Sequence, residues 1–246
     1  MIRPHFALEC RNLSLQRNRR LLLNQVNLQL AEGETLGLAG LNGAGKTTLL
    51  KAALDILSVQ CGEILWYGQS HQDPQSRQHL VFFPEQSSLP DYLTGRDFLH
   101  LMLRFYQRPR VADEIEAACL TLDFQPDLLS TKICTYSKGT QQKLGLISCF
   151  LSGRQVFVLD EPMSGLDPKA RLLLKQALQG WKTAGGTLLF TAHSLEDVIS
   201  LCDRMLILEQ GQVYFTGTPQ AFLEYYQSDS PEKAFLSCLE NPCLKC

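Results

Sequence analysis

Gly40-Leu41-Asn42-Gly43-Ala44-Gly45-Lys46-Thr47-Thr48 is the stretch on which the reading of this chain turns. It fits G-x-x-x-x-G-K-[ST], the pattern of a phosphate-binding loop. The flanks agree with it. Thr35-Leu36-Gly37-Leu38-Ala39 is an apolar run of strand length, and Thr48 to Leu54 is built mostly from strong helix formers. Strand, glycine-rich loop and helix is the context that gives the pattern its chemistry. Glycines let the backbone curl so that several N–H groups face phosphate oxygens, and the helix start adds partial positive charge. Lys46 is placed to reach the β- and γ-phosphates, and the Thr47 hydroxyl to ligate Mg²⁺. A chance fit in a chain of this length is on the order of 1% from average glycine usage.

The chain has 246 residues, 45% apolar and 20% charged, which describes an ordinary globular protein and not a disordered one. A net charge of -2 argues against a dominant nucleic-acid role. Nine scattered cysteines, an odd count, read as reduced thiols of a cytosolic protein. Met1 to Cys10 carries Arg3, Pro4, His5 and Glu9 where a signal peptide would be apolar, and no eighteen apolar residues run together. Any work at a membrane then needs a partner to supply the membrane part.

Working outward, Phe6 to Leu15 and Leu21 to Leu30 read as strands joined by Arg17-Asn18-Arg19-Arg20, a solvated hairpin tip, with the competing idea that Arg17 lies beside a base. Cys61-Gly62-Glu63 reads as a turn into a strand Ile64 to Tyr67, Gln69 to Gln78 as a loop or short helix, and Leu80 to Phe83 as a buried strand. From about 94 to 151 the pattern is helical. Phe98, Leu99, Met102, Leu103 and Tyr106 fall on one face, as do Ile115, Ala118, Cys119 and Leu122, and a strand near Ile133 is doubtful. These stripes read as packing. Strand and helix then alternate: Val156 to Leu159, a helix Lys169 to Ala184 capped by Asp167-Pro168, Leu188 to Thr191, Leu195 to Cys202, Met205 to Leu208, Val213 to Phe215, and a helix from Pro219 to Tyr226. The expected fold class is α/β: a P-loop NTPase core with a mostly parallel sheet and flanking helices, an N-terminal antiparallel part, and an inserted all-helical subdomain. The expected division is a domain over 1–226 and a mobile tail over 227–246.

The strand Val156 to Leu159 ends in Asp160-Glu161-Pro162. Carboxylates at the carboxyl end of a parallel strand sit in the crevice where such sheets bind ligands. Asp160 is placed to hold Mg²⁺, and Glu161 to polarise a water for in-line attack on a γ-phosphate.

Tyr136-Ser137-Lys138-Gly139-Thr140-Gln141-Gln142-Lys143 resembles the signature motif of the ATP-binding-cassette (ABC) family. Ser164-Gly165-Leu166-Asp167 resembles its D-loop, and His193 in Thr191-Ala192-His193-Ser194 its switch histidine. The likeness runs from about Leu8 to Pro219 with the motifs in order. Lys138 and the run Leu93 to Leu99 are similar to the single-cassette ATPases of ABC-2-type exporters. The resemblance implies two cassettes closing head to tail, so that ATP lies between the phosphate loop of one and the Ser137 hydroxyl and helix start of the other. It implies a catalytic pair Glu161 and His193, with ATP and Mg²⁺ as the small molecules bound. The partners implied are a multi-spanning membrane permease and a second copy, with the chain peripheral on the cytoplasmic face and no nucleic acid. A soluble ABC ATPase acting in assembly or regulation without a permease is the alternative, and a non-hydrolysing regulatory module a third reading. Three features depart from the pattern. The aromatic expected to stack on adenine near Arg17 is missing, which leaves Arg17 as a stand-in. Glu85 stands where the family's glutamine follows Pro84, so Glu85 and Gln86 are both candidates for that role. Lys138 and Thr140 replace the usual signature glycine and glutamine. Cys238, Cys243 and Cys246 also invite a metal reading, a weak one with three thiolates and no matching histidine.

Overall fold

The computed structural model describes residues 5–86, 88–109 and 112–243. The chain opens with β1 (Phe6–Arg17) and β2 (Arg20–Ala31), an antiparallel hairpin closed by Asn18 and Arg19 at φ 50° and 63°. Two consecutive positive φ values give a turn whose twist matches that of the strands, and asparagine tolerates that region well. β3 (Thr35–Ala39) leads into the glycine loop and α1 (Lys46–Ala53). β4 (Cys61–Trp66) and the short β5 (Gln69–Ser70) complete a four-stranded antiparallel sheet in the order β2-β1-β4-β5. Cys61-Gly62-Glu63 is thus strand and not turn. Gly62 sits at φ 98°, where a Cβ would lie 2.6 Å from the Arg11 carbonyl oxygen, beside a break in the β1–β4 register. The glycine marks a close backbone approach at an irregularity inside the sheet.

The second sheet contains β6 (Leu80–Phe83), β7 (Val156–Leu159), β8 (Thr187–Thr191), β9 (Arg204–Glu209) and β10 (Gln212–Gly217), in the order β10-β9-β3-β8-β7-β6. All pairs are parallel except β10 with β9. Every residue of β3, β7 and β8 is buried, because both faces of this sheet are covered. The pleat divides them. Val156 and Val158 join Leu36, Leu38, Leu49 and Leu50 in a core shared with the antiparallel sheet, while Phe157 and Leu159 face the helices.

Between β6 and β7 run α2 (Gly95–Phe105), α3 (Ala112–Thr121), two 3-10 turns (Pro126–Ser130 and Ile133–Thr135) and α4 (Lys138–Leu151). The doubtful strand near Ile133 is therefore a 3-10 turn, touched by one isolated bridge between Thr94 and Lys132. Of the stripes, Phe98, Leu99, Leu103, Ile115, Cys119 and Leu122 are buried in one cluster, with Met102, Tyr106 and Ala118 packed against it. α5 (Pro168–Thr183), α6 (Leu195–Leu201) and α7 (Pro219–Tyr225) start at Asp167, Ser194 and Thr218, whose side chains accept from the backbone N–H groups of Ala170, Asp197 and Ala221. α8 (Pro231–Glu240) follows the same rule from Ser230 and buries Ala234 and Cys238, so much of the expected mobile tail is a packed helix. Cys238 and Cys243 are buried, and Cys246, the third residue of the metal reading, lies outside the described residues. Among the described residues no helix is long and apolar enough to cross a membrane.

Candidate functional site

The loop leaves β3 at Gly40, where φ is 154° and a Cβ would fall 2.0 Å from the Leu208 carbonyl oxygen. Gly43 and Gly45 also take positive φ, and Gly45 caps α1. Neighbouring strands brace the curl: Gly211 N–H donates to the Ala44 carbonyl (2.9 Å), and Leu41 N–H to Glu209 Oε2 (3.3 Å). Replacing Gly40 with alanine is expected to cost on the order of 2–3 kcal/mol and to lower Tm by about 5–10 °C in a thermal melt. The same change at Gly43, whose added Cβ would meet nothing within 4 Å among the described residues, should cost less.

Lys46 is 7% exposed, and its ammonium donates to the carbonyls of Gly40 (2.8 Å) and Leu41 (3.3 Å). Burial lowers its pKa, and Glu161, Asp160, Glu209 and Glu85 act in the opposite sense. Next to it in the first turn of the same helix, Thr47 Oγ1 donates to Asp160 Oδ1 at 3.1 Å, so the end of β7 meets the phosphate loop. Asp160 is 1% exposed and receives a second hydroxyl, Thr191 Oγ1, at 2.7 Å. Thr191 in turn accepts from the Glu161 N–H at 2.8 Å. Its role was not anticipated. The only signal in the sequence is a hydroxyl closing an otherwise apolar strand end.

Glu161 sits at φ 50° with 5% exposure. Its Oε2 accepts the His193 N–H (3.0 Å), and its Oε1 lies 3.5 Å from His193 Nε2 while making no hydrogen bond among the described residues. Burial pushes the carboxyl up to about 7, against the pull of Lys46 and the His193 N–H. A carboxylate with that affinity for protons, its buried Oε1 left unpaired among the described residues, suits general-base work. The hydroxyl of Thr47 and the carboxylate of Asp160 are hard oxygen donors side by side, a set that suits Mg²⁺.

A cavity of 440 Å³ spans the loop from Leu41 to Thr48 and is walled by Glu85, Glu161 and His193 together with Arg20 and Leu22. Arg17 is not among its lining residues, and the reason is strand order. β2 is the edge strand beside the loop, and β1 lies one strand spacing behind it.

Ser137 is exposed at the start of α4, its Oγ accepting the Thr140 N–H (3.1 Å) and meeting Thr140 Oγ1 at 2.8 Å. Tyr136 anchors the approach, donating its hydroxyl to the Leu128 carbonyl. A Cβ on Gly139 would lie 3.0 Å from the Gly165 carbonyl oxygen, so these two turns abut. Gln142 Nε2 donates to the Pro162 carbonyl (3.2 Å), tying α4 to the strand end that carries Asp160 and Glu161. Leu166 is buried, Asp167 caps α5, and Ser164 N–H donates to the Glu161 carbonyl (3.0 Å). Gln86 lines a second groove of 880 Å³ with Lys138, Ser164 and Gly165, and Glu85 borders both spaces.

A family model described as ABC transporter matches residues 23–164. An uncharacterized ABC transporter ATP-binding protein of Nostoc sp. is 36% identical over 202 residues, covering 80% of this chain and 59% of the relative. The Nod factor export ATP-binding protein I of Burkholderia orbicola is 31% identical over 220 residues, covering 88% and 72%. The first two relatives matched are spanned over less than two thirds of their length, 59% and 56%. A solved structure described as the ATP binding subunit of an ABC transporter superposes with TM-score 0.86 at 27% identity, over 95% of this chain and 99% of that one.

Proposed function

The chain belongs to the ABC transporter family, whose cassette binds nucleotide, and from that premise we propose that it is the ATP-hydrolysing subunit of an exporter. In this reading two copies close on ATP, and the closure drives a separate multi-spanning permease that holds the chain on the cytoplasmic face of the membrane. The observation that carries the site assignment is the 3.1 Å contact of Thr47 with Asp160, since it joins the two half-sites around one cavity. The exporter reading leans on the likeness to a protein named for Nod factor export.

The phosphate loop N–H groups cradle the triphosphate, and Lys46 leaves its carbonyl partners for the β- and γ-oxygens. Thr47 and Asp160 would hold Mg²⁺, which supplies positive charge to the same oxygens. Glu161 takes the proton of the attacking water through Oε1, the oxygen left unpaired among the described residues. His193, held beside it, orients that water and donates to the γ-phosphate. Ser137 and the start of α4 in the second copy close the far side. The groove at Gln86 passes the closure to the permease, with Glu85 at the boundary between the two spaces.

The test is phosphate release from ATP by the purified chain with Mg²⁺ and with chelator, together with co-purification from detergent-solubilised membranes. Release without a multi-spanning companion would favour a permease-free ATPase. Release absent in both conditions would remove the enzyme. The pH dependence adds a prediction. Glu161 must be ionised to act, so kcat/KM should rise through about pH 7 and level off above it. Stability runs the other way: this raised carboxyl favours folding fully below the ordinary value of 4.5, and its contribution is lost as pH rises through about 7.

A further inference from the structure

Thr191 closes β8 with a fully buried side chain, and both ends of its hydroxyl are in use. The proton goes to Asp160 Oδ1 at 2.7 Å, and the oxygen accepts the Glu161 N–H at 2.8 Å. Register brings these residues together: Leu159 pairs with Phe190 in the parallel ladder, so the next position sets Asp160 beside Thr191. A carboxylate accepts and an N–H donates, so the group between them must do both. Valine has the shape of threonine and does neither.

Glu161 needs that support. Its backbone sits at φ 50°, in the left-handed region that a residue with a Cβ enters at a cost, so its surroundings must hold it there. Its carbonyl accepts the Ser164 N–H at 3.0 Å, and its Oε2 accepts the His193 N–H at 3.0 Å. Those donors are backbone groups. The acceptor of its own N–H is a side chain, on the strand end from which His193 follows. Asp160 is held more redundantly, since its N–H donates to the Phe83 carbonyl at 2.8 Å and its carboxylate also receives the Thr47 hydroxyl.

Resting on the hydrolytic assignment above, we propose that Thr191 is a positioning residue for the reaction. It holds the Glu161 backbone in the conformation that aims Oε1 at the attacking water, and it acts through that residue. Thr191 is not among the residues lining the phosphate-loop cavity, so it sets turnover and not affinity. Loss of its bond frees the Glu161 peptide to leave the left-handed region. Displacing a reacting group by about 1 Å can cost about 10²-fold in rate.

The experiment compares wild type with Thr191→Val, Thr191→Cys and Thr191→Ser, each checked by thermal melt and by amide hydrogen exchange at Glu161. Thr191→Val should lower kcat about 10–10²-fold and leave the equilibrium Kd for ATP within about twofold. Exchange at the Glu161 N–H should quicken by about tenfold or more in the same variant. Thr191→Ser should restore both values, and Thr191→Cys, whose thiol hydrogen-bonds weakly, should fall between. Added to Glu161→Gln, Thr191→Val should change the residual rate by no more than about twofold, because the side chain it positions no longer acts as a base. Wild-type turnover or wild-type exchange in Thr191→Val, a matching loss of ATP affinity, a further loss of about tenfold in the Glu161→Gln background, or a serine variant as slow as valine would overturn the proposal. Should Thr191→Val unfold at the assay temperature, the cysteine and serine variants carry the same comparison. Wild type that binds ATP and releases no phosphate would instead overturn the hydrolytic assignment beneath it.

Discussion

Replacing Glu161 with glutamine is expected to lower kcat for ATP by about 10²–10⁴-fold while ATP affinity stays within about twofold, the range for loss of a positioned general base. The substitution keeps shape and one acceptor, so the His193 N–H retains its 3.0 Å partner. What it removes is the proton affinity that burial raises to about 7, on the oxygen that makes no hydrogen bond among the described residues. The amide also takes no charge into a pocket where Asp160 and Glu85 already repel one, so the variant should melt no lower than wild type at pH 8. Single-turnover phosphate release within tenfold of wild type would remove Glu161 from the base role.

Replacing Lys46 with alanine is expected to weaken ATP binding by about 10²–10³-fold, the loss of two charge-assisted hydrogen bonds. The same change reaches Glu161. After burial, the Lys46 charge is the largest influence on that carboxyl and holds it down. Without it the midpoint of residual turnover should move above pH 7, a shift that a simple binding defect would not produce. Titration calorimetry and a pH profile at saturating ATP read the two effects separately. Wild-type affinity in this variant would place the triphosphate elsewhere.

Much of this was legible in the residues. β3, β7 and β8 are covered on both faces, so they read as uninterrupted apolar runs, and the loop pattern between β3 and α1 needs only local geometry. The cap at Asp167 was visible for the same reason, since a cap involves residues three apart. What the residues did not disclose depends on how distant segments meet. That Arg20 and not Arg17 faces the cavity follows from β2 being an edge strand, a fact of sheet order. Gly62 gives the same local signal in a turn as at a register break, and only the approach of the Arg11 carbonyl distinguishes them. Thr191 links Asp160 to Glu161 across two strands, and no spacing in the chain announces that link. For α8, Ser230-Pro231-Glu232 did carry an N-cap signature, which the three cysteines nearby overshadowed.

The central claim, one site completed by a second copy, is tested most directly by sedimentation of Glu161→Gln with Mg²⁺ and ATP. The account predicts that ATP doubles the mass from the 27.7 kDa monomer, and that adding Ser137→Arg abolishes the doubling while ATP still binds. A protein that stays monomeric with ATP bound, or a dimer indifferent to the change at Ser137, would contradict it.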